Sequence, residues 1–174
     1  AVVSLNKESV HRTNKEYLQN HTRWRNESLA WLRENKTTTV EQQHLFFLTQ
    51  PQDQEFFCIV QNSVIKGTCG LTDIRTSHGT AEFSLLVGSE FQKQGIGTQT
   101  LCTLLEYGFN KLHLHLIYGE TFSYQEKYGV NPGAKAYEKL GFTLEAKLRD
   151  RYIKQGIKVD ALIYSITSQE FAQR

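Results

Sequence analysis

The spacing of apolar residues predicts a strand, a loop and a helix in the middle of the chain. Residues 83–88 form an apolar run that is typical of a buried strand. Residues 99–112 repeat apolar side chains every three or four positions, as one face of a helix requires. That face consists of Leu101, Leu104, Leu105, Gly108, Phe109 and Leu112. The segment between strand and helix, residues 91–98, contains Gly95 and Gly97.

The N-terminal part is predicted to be mostly helical. Residues 1–5 have the character of a short strand, and residues 14–35 are expected to be helical with a break. A further helix is predicted to begin after Thr39, because Gln42 stands three residues later, which is the spacing of a capping box. Pro51 lies just beyond that helix and indicates its end.

The rest of the chain is predicted to form strands and one more helix. The strands are 56–60, 64–74, 81–87 and 114–122, followed by a terminal hairpin of 142–153 and 158–167. The helix covers 134–140, and Gly141 is expected to end it. This order predicts a mixed α/β fold (an α+β mixed sheet) in a single domain of residues 1–174.

Composition excludes several classes of protein. Hydrophobic residues make up 39% and charged residues 22% of 174 residues, which is typical of a globular chain and not of a disordered one. No apolar run approaches the roughly 20 residues of a membrane helix, and residues 1–7 are too short and polar for a signal peptide. A net charge of +2 gives no basis for nucleic-acid binding. We therefore expect a cytoplasmic protein that binds neither a membrane nor nucleic acid directly.

The cysteines and histidines give no sign of a metal site. Cys58, Cys69 and Cys102 lie inside apolar segments without metal-type spacing, so we interpret them as buried thiols in a reducing compartment. The histidines form no recognisable catalytic or ligating pattern. The sequence therefore predicts no metal.

The glycine loop is the strongest candidate for a binding site. Gly95 and Gly97 permit a tight turn and a close approach of the backbone to a ligand. The free N–H groups and partial positive charge at the start of the next helix favour a phosphate. The third glycine of a dinucleotide loop and the Gly-Lys-Ser/Thr of a Walker A loop are both absent. A glycine turn without a ligand remains the alternative.

Several segments resemble the GNAT acetyltransferase superfamily. Gln92-x-x-Gly95-x-Gly97 is similar to its pyrophosphate loop, and residues 134–142, which end in Tyr-Glu-Lys-Leu-Gly-Phe, resemble its second signature. The hairpin from Glu145 to Tyr164 and the segment Trp24-Arg25-Asn26 resemble the branch with ribosomal-protein-alanine and aminosugar acetyltransferases. Two features depart from the family pattern. Asn131 precedes Tyr137 by six residues instead of seven, and the insert 123–129 is long.

The resemblance implies a GNAT-like fold and an acetyl-CoA-dependent N-acetyltransferase that uses acetyl-CoA as cosubstrate. It assigns Tyr137 as general acid for the CoA sulfur and Glu82 as base, with Glu120 as a second candidate base. Each has a structural alternative: a core tyrosine for Tyr137, and a solvated carboxylate or cross-strand ion pair for Glu82. The residues implied to bind the cofactor are Leu85, Leu86, Val87, Gln92, Gln94, Gly95, Ile96, Gly97, Thr98 and Asn131.

The expected reaction moves acetyl to a primary amine of a protein N-terminus or small molecule, by direct attack in a ternary complex. The acceptor stays open among a protein N-terminus, an aminosugar nucleotide, a polyamine and an aminoglycoside. A monomer and a homodimer are both compatible with the sequence. One alternative is a non-catalytic acyl-CoA sensor, and another is a nucleotide-binding domain of a different kind.

Overall fold

The computed structural model describes residues 2–7, 14–124, 129–130 and 132–174. The strands are β1 (Ser4–Asn6), β2 (Glu55–Gln61), β3 (Val64–Arg75), β4 (Thr80–Val87), β5 (Leu116–Tyr124), β6 (Gly129–Val130), β7 (Thr143–Lys154) and β8 (Ile157–Thr167). The α-helices are α1 (Lys15–Glu27), α2 (Val40–Leu48), α3 (Ile96–Asn110), α4 (Pro132–Lys139) and α5 (Ser168–Ala172). Short 3₁₀ helices cover Leu29–Trp31 and Ser89–Phe91.

All strands belong to one sheet, in the order β1-β2-β3-β4-β5-β8-β7, with β6 paired to β5. Adjacent strands of the sheet are antiparallel, except β4 and β5, which are parallel. This parallel pairing covers only Thr80 to Glu82 of β4, opposite Leu116 to Tyr118 of β5. Both strands continue beyond it, each still paired on its other edge, β4 with β3 and β5 with β8, but no longer with each other. The predicted mixed sheet is confirmed, and it opens next to the glycine loop.

Helices cover both faces of the sheet because apolar side chains alternate along the central strands. Phe57 and Ile59 of β2 belong to the larger core, which includes α3 and α4. Phe56 and Cys58 point to the opposite face and pack with α1 and α2. The predicted apolar face of α3 is confirmed, with Leu104 and Leu105 fully buried in the larger core.

A buried polar network fixes α1 and α2 on the sheet. The Tyr17 hydroxyl lies 2.5 Å from the Thr68 hydroxyl, and His21 Nδ1 lies 3.0 Å from the same Thr68 oxygen. His21 Nε2 lies 3.0 Å from Gln43 Oε1, which assigns the proton of a neutral ring to Nε2. Burial and the charge of Arg25 lower the pKa of His21 to about 4. The network therefore needs a neutral histidine.

Most local signals produced the predicted elements, with some corrections at their ends. Thr39 and Gln42 form the predicted capping box, and Gly141 adopts φ +92° after α4. The predicted broken helix 14–35 is confirmed as α1 and a 3₁₀ turn as far as Trp31, but residues 32–35 are not helical. Helix α3 begins at Ile96, three residues earlier than expected. Helix α5 was not predicted, although its N-cap, Thr167, forms a capping box with Glu170. No helix of the described residues is long and apolar enough to span a membrane.

Candidate active site

A cleft with a cavity volume of about 590 Å³ lies where β4 and β5 separate. Its walls come from β4, the glycine loop, α3, α4, β5 and the segment after α1. The ring of Phe83 packs against Gly119 of β5, where a Cβ would lie 2.1 Å from it. The missing side chain at Gly119 thus leaves room for this ring at the end of the β4–β5 pairing. Residues of β4 and residues at the start of α3 both line the cleft.

The glycine loop ends in an exposed helix N-terminus. Gly95 is the N-cap of α3 with φ +79°, a left-handed conformation that favours glycine. The first intrahelical bond joins the Gln99 N–H to the Gly95 carbonyl (3.1 Å), so the N–H groups of Ile96, Gly97 and Thr98 have no partner within the helix. Within the described part of the chain, no side chain caps α3. The loop therefore presents convergent donors to an anion.

The two glycines differ in what the fold asks of them. A Cβ at Gly95 would meet no atom within 4 Å, so only its backbone conformation requires glycine. A Cβ at Gly97 would lie 3.6 Å from Leu85 and 3.8 Å from Val87, which is ordinary contact. The protein itself would accommodate an alanine at Gly97. Gly95 is thus the glycine that the turn depends on.

The segment before the loop is anchored to α1. Glu90 accepts hydrogen bonds from Trp24 Nε1 (2.9 Å) and from Arg23 Nη2 (2.7 Å). The bond from Arg23 is the main reason that the pKa of Glu90 falls to about 2. Trp24 is 1% exposed, and a Cβ at Gly88 would lie 2.5 Å from its indole. Trp24, the first residue of the Trp-Arg-Asn segment that resembled the family pattern, thus holds the residues that precede the glycine loop.

Of the other predicted cofactor residues, four line the same cleft and Gln94 does not; the four are Leu85, Leu86, Val87 and Gln92. Leu85, Leu86 and Val87 lie on β4 beyond its pairing with β5 and line the cleft. The side chains of Gln92 and Gln94 bind loop carbonyls instead: Gln92 Nε2 donates to Val87 O (3.3 Å) and Gln94 Nε2 to Glu90 O (3.5 Å). Asn131 lies outside the described residues, as does most of the insert 123–129.

Tyr137 on α4 lines the cleft from within an aromatic cluster. Its ring centroid lies 5.2 Å from that of Phe83, 5.5 Å from Tyr164 and 5.8 Å from Phe142. Burial, with a smaller effect of Tyr164, raises the pKa of Tyr137 to about 12. Its hydroxyl is therefore protonated at neutral pH, as a proton donor must be. The cluster also fits the structural alternative of a core tyrosine.

The two candidate bases meet on one guanidinium that the sequence did not reveal. Arg33 donates through Nε to Glu120 Oε1 (3.1 Å) and through Nη2 to Glu82 Oε1. The carboxylate side chains are only 16% and 9% exposed, for Glu82 and Glu120 respectively. Burial raises the pKa of Glu82 while Arg33 opposes the shift, and the net change is upward. Burial works against the charge of Arg33, yet both carboxylates raise its pKa above the ordinary value.

The cysteines lie away from this chemistry. Cys58 and Cys69 are fully buried, and burial raises the pKa of both thiols, that of Cys58 to about 12. Cys102 is partly exposed and lies 3.3 Å from an Arg174 nitrogen. Over the described ranges, no group of three or more His, Cys, Asp or Glu residues could hold a metal ion.

Comparison with known proteins agrees with this geometry. Residues 6–143 match the model of the acetyltransferase (GNAT) domain family. The chain is 26% identical over 120 residues to the spermidine N(1)-acetyltransferase of Escherichia coli K12, covering 69% of this chain and 62% of that protein. It is 28% identical over 122 residues to an uncharacterized N-acetyltransferase, p20, of Bacillus licheniformis, covering 70% and 66%. The matched stretch thus spans less than two thirds of each relative.

Solved structures share the whole fold. The spermidine N-acetyltransferase of Vibrio cholerae in complex with CoA and spermine superposes with a TM-score of 0.79 at 20% identity, over 98% of this chain and 97% of the other. A chimera of that enzyme gives a TM-score of 0.81 at 21% identity over the full length of both chains. These likenesses confirm the fold expected from the sequence.

Proposed function

The chain belongs to the GNAT acetyltransferase family, and from that premise we propose that it moves an acetyl group from acetyl-CoA to a primary amine by direct attack in a ternary complex. The observation that carries the proposal is the separation of β4 from β5 beside an uncapped helix N-terminus. A strand edge and a phosphate site then lie along one cleft. A different nucleotide would not require both, whereas an acyl-CoA sensor would, so turnover is what separates the enzyme from the sensor.

The residues present fit acetyl-CoA, which supplies an activated acetyl thioester when bound. The free N–H groups of Ile96, Gly97 and Thr98 would hold the pyrophosphate, because they point from a positive helix end. The backbone of Leu85, Leu86 and Val87 would pair with the pantetheine arm, since β5 leaves that edge of β4 open. An N–H near Leu86 would polarise the acetyl carbonyl.

The reaction forms a C–N bond, breaks the C–S bond and moves protons at both ends. Glu82, or Glu120 beside it, would accept the proton that the ammonium must lose before attack. Tyr137 would donate its hydroxyl proton to the departing sulfur and regain one from solvent. Arg33 keeps the carboxylates close together on the acceptor side of the cleft. No covalent acetyl-enzyme is needed, so no cysteine takes part.

The acceptor is a primary amine of a small molecule or a protein N-terminus. The Escherichia coli relative is named as a spermidine N(1)-acetyltransferase, which makes a polyamine one acceptor to test. A cytoplasmic location and a monomeric or homodimeric state belong to the same proposal. Light scattering after size-exclusion chromatography measures the second.

The first experiment is thermal unfolding with acetyl-CoA, CoA, ATP or NAD. A ligand specific for the native state adds about 2.7 kcal/mol at a hundredfold excess over its dissociation constant. Stabilisation by acetyl-CoA and CoA, but not by ATP or NAD, is expected. If acetyl-CoA at saturation leaves the melting temperature unchanged, the proposed function is wrong.

Turnover is then measured as CoA release with a panel of primary amines. Tyr137→Phe should lower kcat by about a hundredfold, in the range for loss of a positioned acid, with unchanged stabilisation by CoA. The matched control is Tyr164→Phe, whose ring contacts Tyr137 but does not line the cleft. Glu82→Gln should also lower turnover. Binding of acetyl-CoA without turnover of any amine would favour the sensor alternative.

A further inference from the structure

Arg33 occupies the position on the acceptor side where an incoming ammonium would be expected. Its guanidinium bridges Glu82 on β4 and Glu120 on β5, the two candidate bases. An arginine that binds two carboxylates offsets part of the negative charge that a cationic substrate would seek. The proposed reaction gives this arginine no chemical step.

The position of Arg33 is fixed from behind. The ammonium of Lys154, at the end of β7, donates to the carbonyls of Leu32 and Glu34 (both 2.6 Å), the residues on either side of Arg33. Lys154 is 2% exposed, and burial lowers its pKa. Asn35 Nδ2 adds a bond to Ile153 O (3.0 Å). A buried ammonium is costly unless its hydrogen bonds are made. Lys154 therefore keeps the carbonyls on either side of Arg33 in place, which fixes the backbone at Arg33.

The charges that line the cleft balance one another. Among the described residues the acids are Glu34, Glu82 and Glu120, and the bases are Arg25, Arg33 and Lys93. At the bridge, two carboxylates and one guanidinium leave one net negative charge. One ammonium matches that charge, whereas a second ammonium on the same molecule would be repelled by Arg33.

The walls beside the bridge are apolar. Trp31, Leu32, Leu86 and Phe122 line the same cleft. Phe122 follows Glu120 by two positions on β5 and so lies on the same face of the sheet. Apolar walls stabilise an apolar substituent on the amine.

We propose that Arg33 is a specificity-determining residue that makes the enzyme prefer a primary amine with one positive charge and an apolar substituent over a polyamine. This inference rests on the proposed function. Arg33 acts by lowering the negative charge of the acceptor site and by repelling a second cation. A preference for spermidine, the acceptor in the name of the Escherichia coli relative, is then not expected of this chain.

The test compares phenethylamine with spermidine as acceptors of the full chain. Wild type should have the larger kcat/KM with phenethylamine. Arg33→Gln should shift the ratio of the two kcat/KM values toward spermidine by about tenfold, chiefly through KM, because the variant no longer repels the second ammonium; tenfold corresponds to about 1.4 kcal/mol. Arg33→Lys keeps the charge and should keep the wild-type ratio.

The control variant is Lys147→Gln. It also removes one positive charge and breaks an ion pair to a mostly buried carboxylate, since Lys147 Nζ lies 3.3 Å from Asp160 Oδ2 and Asp160 is 10% exposed. Lys147 does not line the cleft, so the ratio should not change. A shift of equal size in this variant would mean that net charge, and not Arg33, sets the preference, and would overturn the inference.

Two readouts separate this inference from the proposed function. If amines are acetylated but wild type prefers spermidine, the inference is overturned while the function stands, and no variant is needed for that result. If no amine is acetylated, the function fails, and thermal stabilisation by each amine in the presence of CoA decides the inference. Stronger stabilisation by phenethylamine in wild type supports it. Equal stabilisation by the two amines, or none by either, refutes it.

Discussion

Replacing Gly95 and Gly97 by alanine should have opposite effects on stability. At Gly95 the backbone has φ +79° and ψ 1°, and an L-residue in this left-handed region costs about 1–2 kcal/mol. A Cβ there meets no atom within 4 Å, so no steric term is added. We expect Gly95→Ala to reduce the free energy of unfolding by about 1 kcal/mol or slightly more.

Gly97 is the matched control because it lies two residues further on, in the first turn of α3. An alanine there gains about 0.5–1 kcal/mol over glycine within a helix. Its Cβ would make ordinary contact with Leu85 and Val87, at 3.6 and 3.8 Å. Gly97→Ala should therefore be neutral or slightly stabilising.

Thermal and denaturant unfolding without ligand measure both changes. For a chain of this size, each kcal/mol corresponds to about 2–4 °C in Tm, so the variants should melt several degrees apart. Repeating the melts with CoA tests the loop as a binding site, where the Cβ of Gly95→Ala would enter the open space beside the free N–H groups. The reasoning from the left-handed turn is refuted if Gly95→Ala melts at or above the temperature of wild type, or no lower than Gly97→Ala.

Three further predictions follow from the described contacts. The pKa of His21 is about 4 in the folded protein and 6.5 in an ordinary histidine, so between these pH values only the unfolded chain takes up this proton. The free energy of unfolding should therefore be highest above pH 6.5 and fall by about 3 kcal/mol toward pH 4. If His21→Asn shows the same dependence of stability on pH as wild type, His21 is not its origin. Trp24→Phe keeps an aromatic ring but loses the indole N–H that bonds Glu90, together with part of the buried volume, and should cost about 2 kcal/mol or more; equal denaturation midpoints would disprove that. Lys154→Met should move amine selectivity in the same direction as Arg33→Gln by releasing the Arg33 backbone, and an unchanged ratio would show that Lys154 has no positioning role.

The sequence alone determined the elements whose signals are local. A strand, a glycine loop and a helix follow one another within residues 83–112, so period and glycine positions were enough to predict them. The capping box at Thr39 and the turn at Gly141 are equally local, and both were confirmed. Helix α5 carried the same kind of signal at Thr167 and Glu170, and was missed although it could have been found. The glycine loop and the start of the helix after it were predictable for this reason.

The tertiary structure alone decided how the site is assembled. Arg33 meets carboxylates 49 and 87 positions further along, and Lys154 clamps its neighbours from more than 100 positions away. No periodicity or cap marks such pairs, because each depends on strands that meet only when the sheet closes. The end of the pairing between β4 and β5 after Glu82 and Tyr118 is likewise a property of the assembled sheet, and no local pattern in either strand marks it. The local sequence thus determines which structures a few neighbouring residues can form. Contacts between distant segments arise only from packing, and the charge of the proposed acceptor site depends on those contacts.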